Sequence, residues 1–179
     1  MAEGIERVLL VGMMGAGKTS VGRALGQRFG WPYLDSDEEV RRRTGHTVPE
    51  LFALRGEAAF RAEESAVLAE ACSSSHPLVV SVAGGAVLDE ANRRLIAASG
   101  LVVWLRASLA TLTQRVGDGR TRPLLGDDPG AALATLYPDR ARLYEALADL
   151  VVDVDGVPLE RVVARVAAAL RDRMRTGRA

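Results

Sequence analysis

The chain has 179 residues, 48% of them hydrophobic, enough for one well-buried core and short for two independent ones. Its 23 basic residues are balanced by 23 acidic ones, which argues against nucleic acid or an anionic membrane as the main partner and makes any basic site a local one. Cys72 is the only cysteine, which excludes an internal disulfide or a multi-cysteine metal site. No apolar run approaches the roughly 18 residues needed to span a bilayer, and "MAEGIERVLL" lacks the layout of a signal peptide, so a cytoplasmic location is expected.

In chain order, short β-branched or leucine-rich runs alternate with segments of helical period. Arg7 to Val11 reads as a strand, followed by a glycine-rich turn and a helix over Lys18 to Phe29. Pro32 to Asp35 is a second strand, with helices expected over Asp37 to Thr44, Val48 to Arg55 and Glu57 to Cys72. A third strand, Leu78 to Val82, precedes a helix over Glu90 to Ala98; a fourth, Leu101 to Leu105, precedes helices over Leu109 to Val116 and Ala131 to Ala148. Leu150 to Val154 is the fifth strand, and Leu159 to Arg175 the closing helix. The alternation predicts an α/β fold: a doubly wound, five-stranded parallel sheet with helices on both faces, in a single domain over residues 1–179.

Local punctuation supports these boundaries. Ser36 with Glu39, and Thr47 with Glu50, are spaced as capping boxes, and Gly30 and Gly45 suit the left-handed residue that ends a helix. Cys72 is expected to be a small half-buried side chain near a helix end. "GDGRTRPLLGDDPG", Gly117 to Gly130, has weak periodicity and fits either a mobile lid, over about 117–126, or a plain surface loop.

The segment "VGMMGAGKTS" carries the strongest chemical signal. G-x-x-x-x-G-K-[ST] between a predicted strand and a predicted helix is the context a phosphate-binding loop requires. Its glycines let backbone amides approach phosphate oxygens, and the following helix points its positive end at the same place. Lys18 is the only lysine in the chain; the other 22 basic residues are arginines. A guanidinium's wide fork does not fit a cradle of amides, whereas an ammonium on a slim stem does. The hydroxyl of Thr19 is the one expected on Mg²⁺.

Of the functions open to a nucleotide-binding chain, a GTPase switch is disfavoured because no second lysine exists to form an N-K-x-D segment. An ATPase motor is disfavoured because "LVVSVAGG" ends without an acidic pair. Phosphoryl transfer to an acceptor remains. In a doubly wound sheet, ligands lie beyond the carboxyl ends of the strands, so the loop with Lys18, Asp35 with Asp37, and Gly84 with Gly85 should meet in one crevice. One carboxylate of Asp35-Ser36-Asp37 can assist Mg²⁺ through water, and the other can hold an acceptor hydroxyl or take its proton; both also suit a helix start. Arg41, Arg42 and Arg43 read as a solvated helix face, and His46 and His76 carry no assigned chemistry.

With these residues in view, the sequence closely resembles the shikimate kinases over nearly its whole length. The resemblance rests on "GMMGAGKTSVGRALG", "LDSDEEV", "GHTVPELFALRGEAAFRAEE", "GGAV" at Gly84, "TRPLL" and "DRARLY" from Asp139. It implies a P-loop kinase that phosphorylates the 3-hydroxyl of shikimate with ATP and Mg²⁺ on the route to chorismate and the aromatic amino acids. It implies a small-molecule partner, no nucleic acid, no membrane and a monomeric state. By resemblance, Gly15, Ala16, Gly17, Lys18, Thr19 and Ser20 bind the triphosphate, with Thr19 and Asp35 on the metal. Asp37 sits nearest the attacking oxygen, and Arg61, Arg140, Gly84 and Gly85 hold the rest of the acceptor, in a region covering about 36–64. Arg122 closes over the phosphates from the lid and, with Lys18 and Asp37, is counted as catalytic. Arg115 is similar to a nucleotide-side arginine of the family and also suits a helix end.

Two departures stand out. The family usually has three successive glycines where this chain has Ala83-Gly84-Gly85, which bears on a backbone approach or a left-handed dihedral in the acceptor half. "VDVDGVPLE", Val152 to Glu160, is shorter and more acidic than the segment that packs on adenine in many members. Two alternatives stay open at this level: a kinase of another hydroxy acid or cyclitol such as gluconate, and a catalytically weak nucleotide-binding protein.

Overall fold

Strands that are apolar on both faces of the pleat are satisfied only inside a sheet covered on both sides. In the computed structural model, which describes residues 6–117 and 125–176, the valine and leucine runs form such a sheet. Its strands are β1 (Arg7–Val11), β2 (Tyr33–Asp35), β3 (Leu78–Ser81), β4 (Leu101–Arg106) and β5 (Leu150–Asp153), all parallel in the order β2-β3-β1-β4-β5. The central β1 is buried throughout, Leu9 facing Val80 on one side and Val102 on the other.

The helices are α1 (Lys18–Phe29), α2 (Ser36–Thr44), α3 (Val48–Ser73), α4 (Glu90–Ser99), α5 (Leu109–Val116), α6 (Pro129–Leu147) and α7 (Leu159–Thr176). Gly30 and Gly45 end α1 and α2 in the left-handed conformation, and Thr47 and Glu50 complete a reciprocal capping box at the start of α3. Cys72 is half-buried one residue before α3 ends, and burial raises its thiol pKa. Among the described residues no helix is long and apolar enough to cross a membrane.

The break expected at Gly56 is present: the two expected helices meet within α3 at a kink where Gly56 takes φ 79° and ψ 173°, a left-handed dihedral that only glycine adopts cheaply. Two expectations are corrected. Ser36 does not cap α2. Asp35 does, its carboxylate taking the amides of Asp37 and Glu38, while the buried Ser36 hydroxyl accepts the amide of Ala83. Helix α6 begins two residues earlier than expected, because Asp128 caps it and Pro129 suits a first helical position. A short 3-10 turn, Ala86–Leu88, was not legible in the hydrophobic period.

The described residues form two cores. The larger surrounds the sheet; a small second one, Val40, Leu51, Phe60 and Val67, lies between α2 and the two halves of α3, with Leu34 packing against both. The sheet thereby carries the glycine-rich loop, and the satellite core carries the expected acceptor region.

Candidate active site

Helix α1 is distinguished by what its start lacks. Helices α2 to α6 each begin under a side-chain oxygen, from Asp35, Thr47, Asp89, Ser108 and Asp128 in turn. At α1 the cap position is Gly17, with no side-chain hydrogen bond, so its free amides face an anion site. Gly15 and Gly17 hold φ of 85° and 94°, which wraps the loop around that helix start. Lys18 Nζ donates to the carbonyls of Gly12 at 2.7 Å and Met13 at 3.0 Å, which lays the ammonium along the loop.

These groups open into a cavity of about 640 Å³, a size suited to a small ligand with a phosphate tail. Gly15, Gly17, Lys18, Thr19 and Ser20 line its nucleotide end. Ala16 does not: its methyl is buried and its amide closes a turn on the Met13 carbonyl at 3.1 Å. Arg115 donates to the Gly15 carbonyl at 3.3 Å, putting a cation beside the loop. The acidity noted near the C-terminus has structural work: Asp153 pairs with Arg106, and Asp155 takes the Ser108 amide. Arg122 lies outside the described residues.

Asp35 sits at the end of β2, where it spans three elements. One oxygen takes the α2 amides; the other lies 3.1 Å from the Thr19 hydroxyl and 3.2 Å from the Tyr33 hydroxyl, which is itself 2.9 Å from Ser81 Oγ. Counting protons fixes the directions. An ionised carboxylate only accepts, so Thr19 and Tyr33 donate to it, and Ser81 donates to the Tyr33 oxygen. Burial first, then the Asp35 charge among other terms, pushes the Tyr33 phenol up to about 12. The Tyr33 ring occupies the space where a Cβ at Gly22 would lie, wedged between α1 and the sheet. With its proton committed to Asp35, the Thr19 oxygen keeps its lone pairs for a cation. Among the described residues no group of three His, Cys, Asp or Glu side chains could hold a metal. The donor set therefore suits Mg²⁺ held by Thr19, phosphate oxygens and water, with Asp35 behind.

The acceptor half is built from α2, α3, α6 and the strap after β3. Asp37, Arg61, Gly84, Gly85 and Arg140 all line the cavity there. Ala83 has no positive φ and is buried, with its amide on Ser36, so alanine in place of a usual glycine leaves the backbone path unstrained. Gly85 matters differently: a Cβ on it would fall on the Arg61 guanidinium. Arg61 lies over the Phe60 ring, 5.3 Å from its centroid, and Phe52 packs beside Phe60 at 4.9 Å, giving an apolar wall next to the charges. Of the three arginines expected to form a solvated face, Arg42 is exposed, Arg43 is pinned between Glu39 and Glu70, and Arg41 lines the cavity.

Two residues not singled out in the sequence organise this half. Glu64 is buried and pairs with Arg61 at 2.5 Å; burial dominates the pull of Arg61 and pushes its carboxyl up to about 7. The signal was their i,i+3 spacing on a helix. Arg140 is 2% exposed, and its Nε and Nη1 have no hydrogen-bond partner. A buried guanidinium with two unsatisfied donors at a cavity wall is suited to receive an anion. The fully buried Tyr144, one turn further on, donates to the Gly84 carbonyl at 2.6 Å.

A family model described as shikimate kinase matches residues 14–171. The chain is 51% identical to the shikimate kinase of Ruegeria pomeroyi over 170 residues, 94% of this chain and 86% of that one. It is 45% identical to that of Cereibacter sphaeroides over 174 residues, 97% of this chain and 86% of the other. A solved structure of shikimate kinase from Acinetobacter baumannii in complex with shikimate superposes with a TM-score of 0.89 at 33% identity, covering 96% of each chain.

Glu64 makes stability depend on pH with a definite sign. Its carboxyl, held near 7 in the folded chain against 4.5 as a free group, binds more protons when folded, so its stabilisation is complete below about pH 4.5 and is lost as pH rises through 7. The unfolding free energy of wild type relative to Glu64→Gln is expected to fall by roughly 2–3 kcal/mol between pH 4.5 and 8. Chemical denaturation of both proteins across that range measures it, and a difference independent of pH refutes the assignment.

Proposed function

The chain belongs to the shikimate kinase family, an ATP-dependent phosphotransferase family of aromatic amino-acid biosynthesis, and from that premise we propose how its own residues transfer the γ-phosphoryl of ATP to the 3-hydroxyl of shikimate. One observation carries the assignment of the two halves: a buried guanidinium with two unsatisfied nitrogens, Arg140, shares a cavity with the one uncapped helix start among α1 to α6. An anionic acceptor and a polyphosphate donor are the ligands those two features recognise.

The triphosphate lies against the loop amides of Gly15 and Gly17 and the α1 amides of Thr19 and Ser20, with Lys18 along its outer phosphates. Thr19, with Asp35 acting through water, would hold Mg²⁺, which when bound offsets phosphate charge. Arg140 and Arg61 clamp the acceptor carboxylate, its ring rests on the Phe52 and Phe60 wall, and the strap at Gly84 and Gly85 takes hydroxyls. Asp37 orients the attacking hydroxyl and accepts its proton while the new oxygen–phosphorus bond forms and the bond from the γ-phosphorus to the ADP oxygen breaks. Arg122 carries over from the family pattern as the arginine neutralising the transferred group. A monomer acting in the cytoplasm completes the proposed reading.

Turnover against a panel of shikimate, gluconate and cyclitols tests the acceptor: preference for another hydroxy acid moves the assignment within the fold, and ATP binding without any turnover rejects it. Two variants test the halves separately. Lys18→Arg keeps charge but not shape, and is expected to abolish transfer with the melting temperature retained; near-normal turnover removes Lys18 from the mechanism. Arg140→Met keeps volume while removing an unsatisfied buried charge. It is expected to melt no lower than wild type yet bind shikimate more weakly by about 1.5–3 kcal/mol, with ATP affinity unchanged, as read by calorimetry. Arg61 is the poorer probe, because deleting it strands the buried Glu64 carboxylate.

A further inference from the structure

The acceptor strap, Ala83 to Gly85, is held from behind by a residue that does not line the cavity. Tyr144 lies four residues after Arg140 on α6, so both side chains leave the same face of the helix. Its ring is fully buried against Trp104, with centroids 5.9 Å apart. The hydroxyl has a single proton, and the Gly84 carbonyl at 2.6 Å is a far better acceptor than the Met13 sulfur at 3.8 Å. Burial above all holds the phenol well above its ordinary pKa, so the donor is permanent. The space beside the Gly84 Cα, where a Cβ would stand, is 3.4 Å from that hydroxyl, 3.5 Å from Arg140 Nη1 and 3.4 Å from the Gly12 carbonyl. Phenol oxygen, acceptor arginine and phosphate loop therefore converge on the space beside Gly84 in the strap.

We propose that Tyr144 is a positioning residue for acceptor binding: its hydroxyl pins the Gly84 carbonyl, and so fixes the strap and the adjacent Arg140 guanidinium in the spacing the acceptor requires. The inference rests on the acceptor half of the cavity being assigned as above. Without the hydroxyl, a buried carbonyl loses its donor and the strap must turn to find another, at the cost of the geometry it presents to substrate. The ring, the Trp104 packing and the sheet remain. The main effect falls on acceptor affinity, since the hydrogen bond is made to the strap, while Lys18 is held by the Gly12 and Met13 carbonyls and touches Tyr144 only through the distant Met13 sulfur.

The test is Tyr144→Phe under steady-state conditions with both substrates varied. The expected result is a KM for shikimate raised about tenfold, with kcat within about threefold and the KM for MgATP unchanged. A variant that melts at a lower temperature but retains the wild-type KM for shikimate overturns the proposal, because the hydroxyl then serves the fold alone. Arg140→Met, measured alongside, separates the two failures. A weak acceptor in Arg140→Met with a normal one in Tyr144→Phe defeats the role of Tyr144, whereas a normal acceptor in Arg140→Met defeats the site assignment and the inference with it. A second measurement needs no change at position 144. The chain has three tyrosines, Tyr33, Tyr137 and Tyr144, and in protein labelled with 3-fluorotyrosine the Tyr144 resonance is assigned as the one surviving both Tyr33→Phe and Tyr137→Phe. Its fluorine resonance is expected to shift as shikimate saturates. A resonance indifferent to shikimate overturns the proposal whether or not Tyr144→Phe folds.

Discussion

The Asp35 carboxylate ties together the nucleotide end of the molecule. Its oxygens accept from the amides that begin α2, from the Thr19 hydroxyl in the first turn of α1 and from the Tyr33 hydroxyl, which Ser81 in turn secures at the end of β3. Neighbouring strand ends of a parallel sheet come close together in any case, but nothing in strand pairing sets the rotation of α1 or the angle at which α2 leaves. Here one anion sets both. Its lone pairs are already shared among four donors, so it orients the Thr19 hydroxyl, which on the proposed function would hold Mg²⁺.

The acceptor half follows a different rule. It holds Arg61, Arg140, Glu64 and Asp37 around one cavity, two cations and two acids, of which Arg140 and Glu64 are almost wholly buried. Arg61 and Glu64 satisfy one another. Two nitrogens of Arg140 are left unmatched, and on the proposed function an entering anion offsets the desolvation of its guanidinium. Such a site trades stability of the empty protein for discrimination, since a neutral ligand of the same shape leaves the guanidinium unsatisfied.

Much of this was legible in the order of residues. The five strands and the phosphate loop announced themselves through hydrophobic runs and glycine spacing, because those features depend on neighbours in sequence. What escaped was set by neighbours in space. Ser36 has the spacing of a cap, yet the Ala83 amide, 47 residues away, claims its hydroxyl, and Asp35 takes over. The break at Gly56 was legible, but not that the satellite core of Leu51, Phe60 and Val67 packs the two helix halves against each other. Glu64 was indistinguishable in sequence from the half-buried Glu63 beside it; only the fold buries Glu64 completely. Arg140 could be matched to a family pattern, but its missing hydrogen-bond partners are a property of the folded interior.

Lys18 also has a consequence outside the reaction. It carries the only ε-amino group in the chain, and that group is bound to the Gly12 and Met13 carbonyls inside the phosphate cradle. The protein surface therefore offers no lysine to acetylating or ubiquitin-conjugating enzymes. Side-chain amine acylation, in a cell or in a test tube, is reduced to one position whose modification and whose protection by bound phosphate are mutually exclusive. A pan-lysine reagent becomes, for this chain, a stoichiometric gauge of how much of the loop is occupied.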